Sequence, residues 1–326
     1  METERSEKLL ERRDLLVRVA KMYYIEQMTQ QEIADKVFLS RSNISRILKC
    51  CVDQQIVEFY INETSSLGFS LIERLRAAYG LKDAIVIPAQ PNNEEAKKKL
   101  GAALFSYFRK SYLKSGMSLG VAWGTTLYHV ASAFKPMPDY AVDVVQLVGG
   151  IGAKSVDTDG VEITKRIVQN FNGNAYVPHA PYIVRDEKLK KLLLKEPDIA
   201  AHFKRAGEVD LALVGIGSST KVMSSSARAG YVSAEEVALQ MSEGAVCDIC
   251  GMQFNTEGKH CALQFEKKLI SISYKALAKI PVVIGAAVGI EKTDAIHAAL
   301  KSGLIDIVAT DEPAALSLLE KQTAKI

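Results

Sequence analysis

The chain has 326 residues, 48% hydrophobic and 24% charged, a globular composition with room for more than one domain and a buried core. No apolar run approaches the roughly 18 residues of a membrane span, the polar start Met1–Lys8 is no secretory signal, and five cysteines, an odd number in a large chain, make no disulfide framework. A reducing cytoplasm is the expected compartment, and the net charge of +3 is by itself silent about nucleic acid.

Leu15, Leu16, Val19, Ala20, Tyr23 and Tyr24 recur at helical spacing and predict a first helix ending near Gln27. Thr29 then stands three residues before Glu32, the spacing of a capping box, and Ile33, Ala34 and Val37 fall on one face of the helix it opens. Ser40 caps a second helix with apolar positions Ile44, Ile47 and Leu48, running to about Asp53. Its outer face carries Arg41, Ser42, Asn43, Ser45, Arg46 and Lys49, with Thr29 and Gln30 at the start of the helix before it. Lys36, Arg41, Arg46 and Lys49 are the only charges from Lys36 to Val52, which suits a helix-turn-helix laying its second helix in a DNA major groove. A surface hairpin with a merely solvated basic face fits less well, because two caps, the small Ala34 at the crossing and a carboxylate-free outer face coincide.

Phe38 stands where such turns usually carry Gly, since φ > 0 costs another residue about 1–2 kcal/mol. The expectation is that Phe38 takes a different turn or offsets the strain by packing its ring. Residues 1–61 hold ten Lys and Arg against ten Asp and Glu, so the positive charge is local to the second helix. A small neutral module should bind weakly alone and gain affinity by pairing copies on pseudo-palindromic half-sites. Ile56–Ile61 alternates towards a wing strand, and the polar stretch 62–68 reads as a linker. The expected domains are therefore 1–61 for DNA binding and 69–326 for the remainder.

From Phe69 onwards short β-branched runs alternate with amphipathic helices. The strands are Ala84–Pro88, Met117–Trp123, Val142–Val148, Val209–Ile216, Pro281–Ile284 and Ile305–Ala309; the helices include Glu94–Lys114, Glu162–Asn172, Ala234–Met241, Lys292–Lys301 and Pro313–Lys321. This grammar predicts an α/β, doubly wound and mostly parallel sheet covered on both faces.

Ligands of such a sheet bind beyond the carboxyl ends of its strands. The best phosphate site there is Gly120-Val-Ala-Trp-Gly-Thr-Thr126: Gly124 permits close backbone approach, Thr125 and Thr126 offer hydroxyls, and the N–H groups opening the helix Thr126–Phe134 face an anion. Tight strand–helix packing explains the same glycine equally well, and the loop matches neither the P-loop nor the dinucleotide fingerprint. Glu162, Asp248, Arg228 and Lys292 lie in or beside loops after strands, where hydroxyls and phosphates could be read. Cys247-x-x-Cys250 followed by His260 and Cys261 could in principle hold zinc. The adjacency of His260 and Cys261 orients their side chains apart, and a hairpin-like loop over the ligand site is the preferred reading, with no metal and no cofactor. His129, His179 and His202 have no spacing that points to a metal or a nucleophile's base, and no catalytic group is assigned.

Met28-Thr-Gln-Gln-Glu-Ile-Ala34 and Ser40-Arg-Ser-Asn-Ile-Ser-Arg46 are followed in order by Gly120–Thr126, Gln146-Leu-Val-Gly-Gly150, Val214-Gly-Ile-Gly217, Gly244-Ala-Val-Cys-Asp248 and Ala295–Ala315 with its Val308-Ala-Thr-Asp-Glu312. This combination resembles the SorC family of bacterial sugar-responsive transcription regulators over nearly the whole chain. The resemblance implies an effector domain related in fold to sugar-phosphate isomerases and deaminases, a phosphorylated sugar or polyol as effector, and a tetramer assembled from dimers on an operator. It implies Gly124, Thr125 and Thr126 as the phosphate loop, Gly149 and Gly150 lining the same pocket, and Glu162, Asp248 and Lys292 contacting hydroxyls or phosphate. Val148 departs from relatives that carry Lys or Arg there, which points to a ligand with a single phosphate. The function expected is a regulator of carbohydrate or polyol metabolism whose operator affinity follows its effector. Two rivals make different demands: an enzyme on sugar phosphates needs an acid–base pair, with Asp248 and Glu162 the candidates, and a zinc or redox sensor would use Cys247 and Cys250.

Overall fold

The computed structural model describes residues 12–54, 56–57, 59, 66–151, 159–220, 227 and 230–323. The chain divides into two compact units, Met1–Glu63 and Thr64–Ile326.

In the first unit a helix over 12–20 continues as a π-helical turn, Lys21–Ile25. Thr29 opens the next helix, Gln30–Val37, with the full capping box: its Oγ1 accepts from the Glu32 N–H at 3.3 Å and its own N–H donates to the Glu32 carboxylate at 2.8 Å. Ser40 caps Arg41–Asp53 by accepting from the Asn43 N–H at 3.3 Å. Val19, Met22, Ile33, Ala34, Ile44 and Leu48 close a core between the three segments. Full burial of each Ile is worth about 1.5–3 kcal/mol, which is what holds so small a unit together.

Phe38 corrects both expectations made for it. It adopts the left-handed conformation, φ 57° and ψ 42°, and its ring is 94% exposed, so packing offsets nothing. The left-handed residue instead ends the helix: the N–H groups of Phe38 and Leu39 both return to the Ala34 carbonyl, satisfying a C-terminal acceptor that would otherwise be orphaned. The wing is corrected at the residues described. Ile56 and Val57 form a turn, both N–H groups donating to the Cys51 carbonyl at 2.8 and 3.0 Å, while 58, 60 and 61 lie outside the described residues. The predicted linker is shortened as well, because the helix Ser66–Tyr79 begins inside it and buries Leu71 and Leu75.

The second unit is built on a seven-stranded sheet of β1 (Asp83–Ile87), β2 (Met117–Val121), β3 (Val142–Gln146), β4 (Ala175–Tyr176), β5 (Leu211–Gly215), β10 (Val283–Ala286) and β11 (Ile307–Asp311). The order is β1-β11-β10-β5-β2-β3-β4 and every pairing is parallel. Its strands read as continuous apolar runs because helices cover both faces. A second, antiparallel sheet joins β6 (Gly217–Ser218), β7 (Cys247–Ile249), β8 (Met252–Phe254) and β9 (His260–Cys261) in that order. Strands of two or three residues are too short to show alternation, which is why sequence periodicity passed over them.

The sheet has a switch point. After β2 the chain moves outward to β3 and β4, whereas after β5 it moves the other way to β10 and β11. Loops leaving adjacent β2 and β5 therefore diverge and open a crevice at the carboxyl edge, where parallel sheets take their ligands.

Candidate functional site

On the first unit, Arg41–Asp53 buries Ile44, Leu48 and Cys51 and leaves Arg41, Ser42, Asn43, Ser45, Arg46 and Lys49 exposed. No acidic residue occupies its first turn. Ser42 shares a 2.9 Å hydrogen bond with Ser40, so its hydroxyl serves the cap as well as the outer face. The exposed Thr29 is engaged in its capping box, and the half-buried Gln30 follows it. A shallow depression gathers Thr29, Gln30 and Arg41 with Tyr23, Tyr24 and Gln27. Cations and amides on one rigid face can meet phosphates and base edges together. The two tyrosines entered the sequence reading only as helix support; their spacing carries no sign that they also border this face.

On the second unit, a cleft opens at the β2–β5 switch point. It is lined by Trp123, Gly124, Thr125 and Thr126 after β2, by Ile216 and Gly217 after β5, and by Asp248, Cys250 and Lys292. The sequence-predicted Gly124, Thr125, Thr126, Asp248 and Lys292 thus converge from three separate stretches of chain. Gly124 is the N-cap of the helix Thr125–Ala133 at φ 123° and ψ 166°, a conformation essentially confined to glycine. Among the described residues no side chain caps this helix. Its first-turn amides have no carbonyl a turn earlier to bond to, and with the helix dipole they make a seat for an anion.

Lys292 brings its ammonium to the cleft and donates to the Ile216 carbonyl at 3.1 Å. Asp248, on β7, lies on the same cleft. Burial pushes its carboxyl up to about 6, against the opposing pull of the Gly251 N–H, the Gln253 amide and the Lys292 charge. At neutral pH it remains a carboxylate, an acceptor for ligand hydroxyls. Trp123 is held edge-on to the fully buried Tyr182, ring centroids 5.6 Å apart. Cys250 and Gly251 form the two-residue turn between β7 and β8, both at positive φ (53° and 87°), the geometry of a type I′ hairpin. The turn is thus a hairpin, and its Cys250 borders the cleft.

The structure places the other predicted site residues elsewhere. Gly149 and Gly150 are absent from the lining of this cleft. Their backbones dock on a distant segment, with Gly149 N–H donating to Ile270 and Gly150 N–H to Ala180. A Cβ on Gly149 would collide with the Pro181 carbonyl and Tyr182 Cα, so close packing accounts for that glycine. Glu162 is also outside the lining; on the helix Gly160–Val168 it pairs with Arg166 at 2.9 Å. The acid–base couple of the enzyme reading, Asp248 with Glu162, is therefore not assembled. Val148 is fully buried and bridges Ser271, and Arg228 lies outside the described residues.

For the zinc and redox reading, burial pushes the Cys247 and Cys250 thiols up, and the Asp248 charge adds to it. Thiols held in the protonated form are poor redox nucleophiles. His260 pairs with Glu266 at 2.7 Å and stacks between Phe254 and Tyr274. Among the described residues no group of three or more His, Cys, Asp or Glu could hold a metal ion.

Residues 66–320 match the model of the Sugar-bind family, described as "Putative sugar-binding domain". The structure of the full-length sorbitol operon regulator SorC from Klebsiella pneumoniae superposes with a TM-score of 0.72 at 25% identity, over 94% of this chain and 98% of that one. The chain belongs to the SorC family of sugar-binding transcriptional regulators. A deoxyribonucleoside regulator of Bacillus subtilis is 27% identical over 314 residues, 95% of this chain and 98% of its own. The transcriptional regulator LsrR of an Enterobacter species is 30% identical over 309 residues, 94% and 93% of the two chains. The SorC-type architecture, a helix-turn-helix followed by an α/β sugar-binding domain, is the one observed here. Among the described residues no helix is long and apolar enough to cross a membrane.

Proposed function

We propose that this SorC-family protein binds operator DNA through Arg41–Asp53 and holds a phosphorylated sugar or polyol in the β2–β5 cleft, the occupancy of which sets its DNA affinity. The observation that carries this reading is the convergence of uncapped helix amides, one ammonium and one carboxylate on a single cleft. Amides of Thr125 and Thr126 with Lys292 suit a phosphate, and Asp248 suits the hydroxyls of the carbon chain. Gly124 keeps the helix terminus open to the anion. Relatives named for sorbitol, a polyol, and for deoxyribonucleosides support carbohydrate or polyol metabolism as the regulated process.

The protein acts as a sensor without turnover, in the cytoplasm, as a homo-oligomer that pairs its readers on pseudo-palindromic half-sites; a dimer of dimers is the assembly proposed. A nearly neutral reader gains its affinity from that pairing. Effector shifts DNA binding only by the difference in its affinity for the DNA-competent and DNA-incompetent arrangements.

The test is a thermal-shift screen of purified protein with sugar and polyol phosphates, followed by DNA binding to a duplex selected from a random library. Saturation at about 100 times Kd should add about 2.7 kcal/mol of stability. Stabilisation without turnover, coupled to a change in DNA affinity, is expected. Turnover of any ligand would favour an enzyme, and stabilisation by none would remove the cleft assignment.

A further inference from the structure

Gln253 and Ser219 take no place in the lining of the cleft, yet they stand directly behind its carboxylate. Asp248 on β7 and Gln253 on β8 are paired opposite one another in the antiparallel register, so their side chains share one face of the sheet. The Gln253 Nε2 donates to Asp248 Oδ2 at 2.9 Å and to the Gly251 carbonyl at 3.2 Å. Its Oε1 accepts from the Ser219 hydroxyl at 2.5 Å. Gln253 and Ser219 are only 4% and 3% exposed.

These contacts fix the amide in one orientation. Both N–H groups have acceptors and the oxygen has a donor, so the amide is satisfied as it stands. Turned over, it would set its oxygen against the Asp248 carboxylate and the Gly251 carbonyl, two repulsive contacts in a buried place where unsatisfied groups are costly. The consequence reaches Asp248 itself. Oδ2 is occupied by Gln253, while among the described residues Oδ1 accepts a long 3.4 Å contact from the Gly251 N–H and no other hydrogen bond. Oδ1 also lies over Gly217, one of the residues lining the cleft: a Cβ there would stand 3.3 Å from it. One oxygen is therefore tied back into the protein and the other is left to accept from a ligand.

We propose that Gln253, anchored by Ser219, is the positioning residue that aims Asp248 Oδ1 at the hydroxyls of a sugar or polyol phosphate. The inference rests on the reading of the cleft as an effector pocket. It divides the site into two ends: amides and Lys292 for the phosphate, and a carboxylate held from behind for the carbon chain. Loss of Gln253 should then weaken the sugar end alone. It should also make binding more sensitive to acid, because the amide is one of the donors that favour the charged carboxylate. Among the described residues the other titratable groups facing Asp248 are Lys292, the Tyr182 phenol and the Cys247 and Cys250 thiols. Burial and the Asp248 charge push the phenol and both thiols up, so they stay neutral between pH 6 and 8.

The experiment measures binding of sorbitol 6-phosphate, deoxyribose 5-phosphate and inorganic phosphate to full-length wild type, Gln253→Leu and Ser219→Ala between pH 5.5 and 8. Loss of a buried hydrogen bond to a charged group predicts that Gln253→Leu weakens the tighter sugar phosphate about tenfold or more at pH 7, with inorganic phosphate unchanged. The pH at which binding falls by half should move upward. Ser219→Ala, which frees the amide to turn, should show the same pattern at about threefold and keeps the test alive if Gln253→Leu does not fold. Equal loss of sugar phosphate and inorganic phosphate, or an unmoved pH profile in both variants, would overturn the positioning role. Failure of wild type to bind any of the three would instead overturn the effector-pocket reading beneath it.

Discussion

Replacing Gly124 with Ala separates backbone conformation from bulk at the cleft. The residue sits at φ 123° and ψ 166°, and among the described residues a Cβ added there would meet nothing within 4 Å. Any cost is therefore conformational, of order 1–3 kcal/mol for a region that L-residues avoid. Holding the strained geometry costs about 2–4 °C in Tm for each kcal/mol in a domain of this size. With no described neighbour packed on the new Cβ to hold it there, the chain is expected to relax φ in part and rotate the amides of Thr125 and Thr126 away from the anion. Relaxation sacrifices at least one charge-assisted hydrogen bond, about 1.5–3 kcal/mol, and so costs tenfold or more in affinity for a phosphorylated ligand. Gly116→Ala is the matched control: its φ is 84° and its added Cβ also meets nothing, but it lies outside the cleft lining. Thermal shift with and without the sugar phosphate that binds wild type reads both terms at once. Gly124→Ala should lose stability comparably to Gly116→Ala and should alone lose the ligand response. A full ligand response in Gly124→Ala, or an equal loss in both variants, would refute the assignment of the phosphate to this helix terminus.

Arg46→Ala should weaken operator binding and reduce its salt slope by about one, with ligand-induced stabilisation intact; an unchanged slope would remove Arg46 from the DNA face. Phe38→Gly should stabilise the N-terminal unit by about 1–2 kcal/mol, because a left-handed residue with an exposed ring loses strain and no packing. A destabilised variant in chemical denaturation would show that the ring is covered in solution. Asp248→Asn should raise Tm at pH 8 while weakening sugar-phosphate binding. The sign follows from a folded value raised to about 6 against 3.8 unfolded: the penalty is complete above pH 6 and is relieved as pH falls from 6 towards 4. The gain in Tm should shrink over that window, and a gain independent of pH would point to packing instead.

Features governed by neighbours a few residues away were already decided in the sequence. Thr29 with Glu32, Ser40 with Asn43 and the apolar faces of both reader helices depend on spacings of three and four. The parallel sheet was legible for a related reason, since strands buried on both faces must be continuously apolar. Gly124 was legible too, at the junction of a strand and a helix. Contacts between distant segments were not. Whether a glycine serves a ligand or a neighbouring backbone depends on what lies opposite, and only the fold brings Pro181 and Tyr182 against Gly149. Glu162 reads as a pocket carboxylate until the fold leaves its helix outside the lining of the cleft. Asp248 is a lone carboxylate in the sequence; only the antiparallel pairing places Gln253 and Ser219 behind it and ties one of its oxygens into the protein.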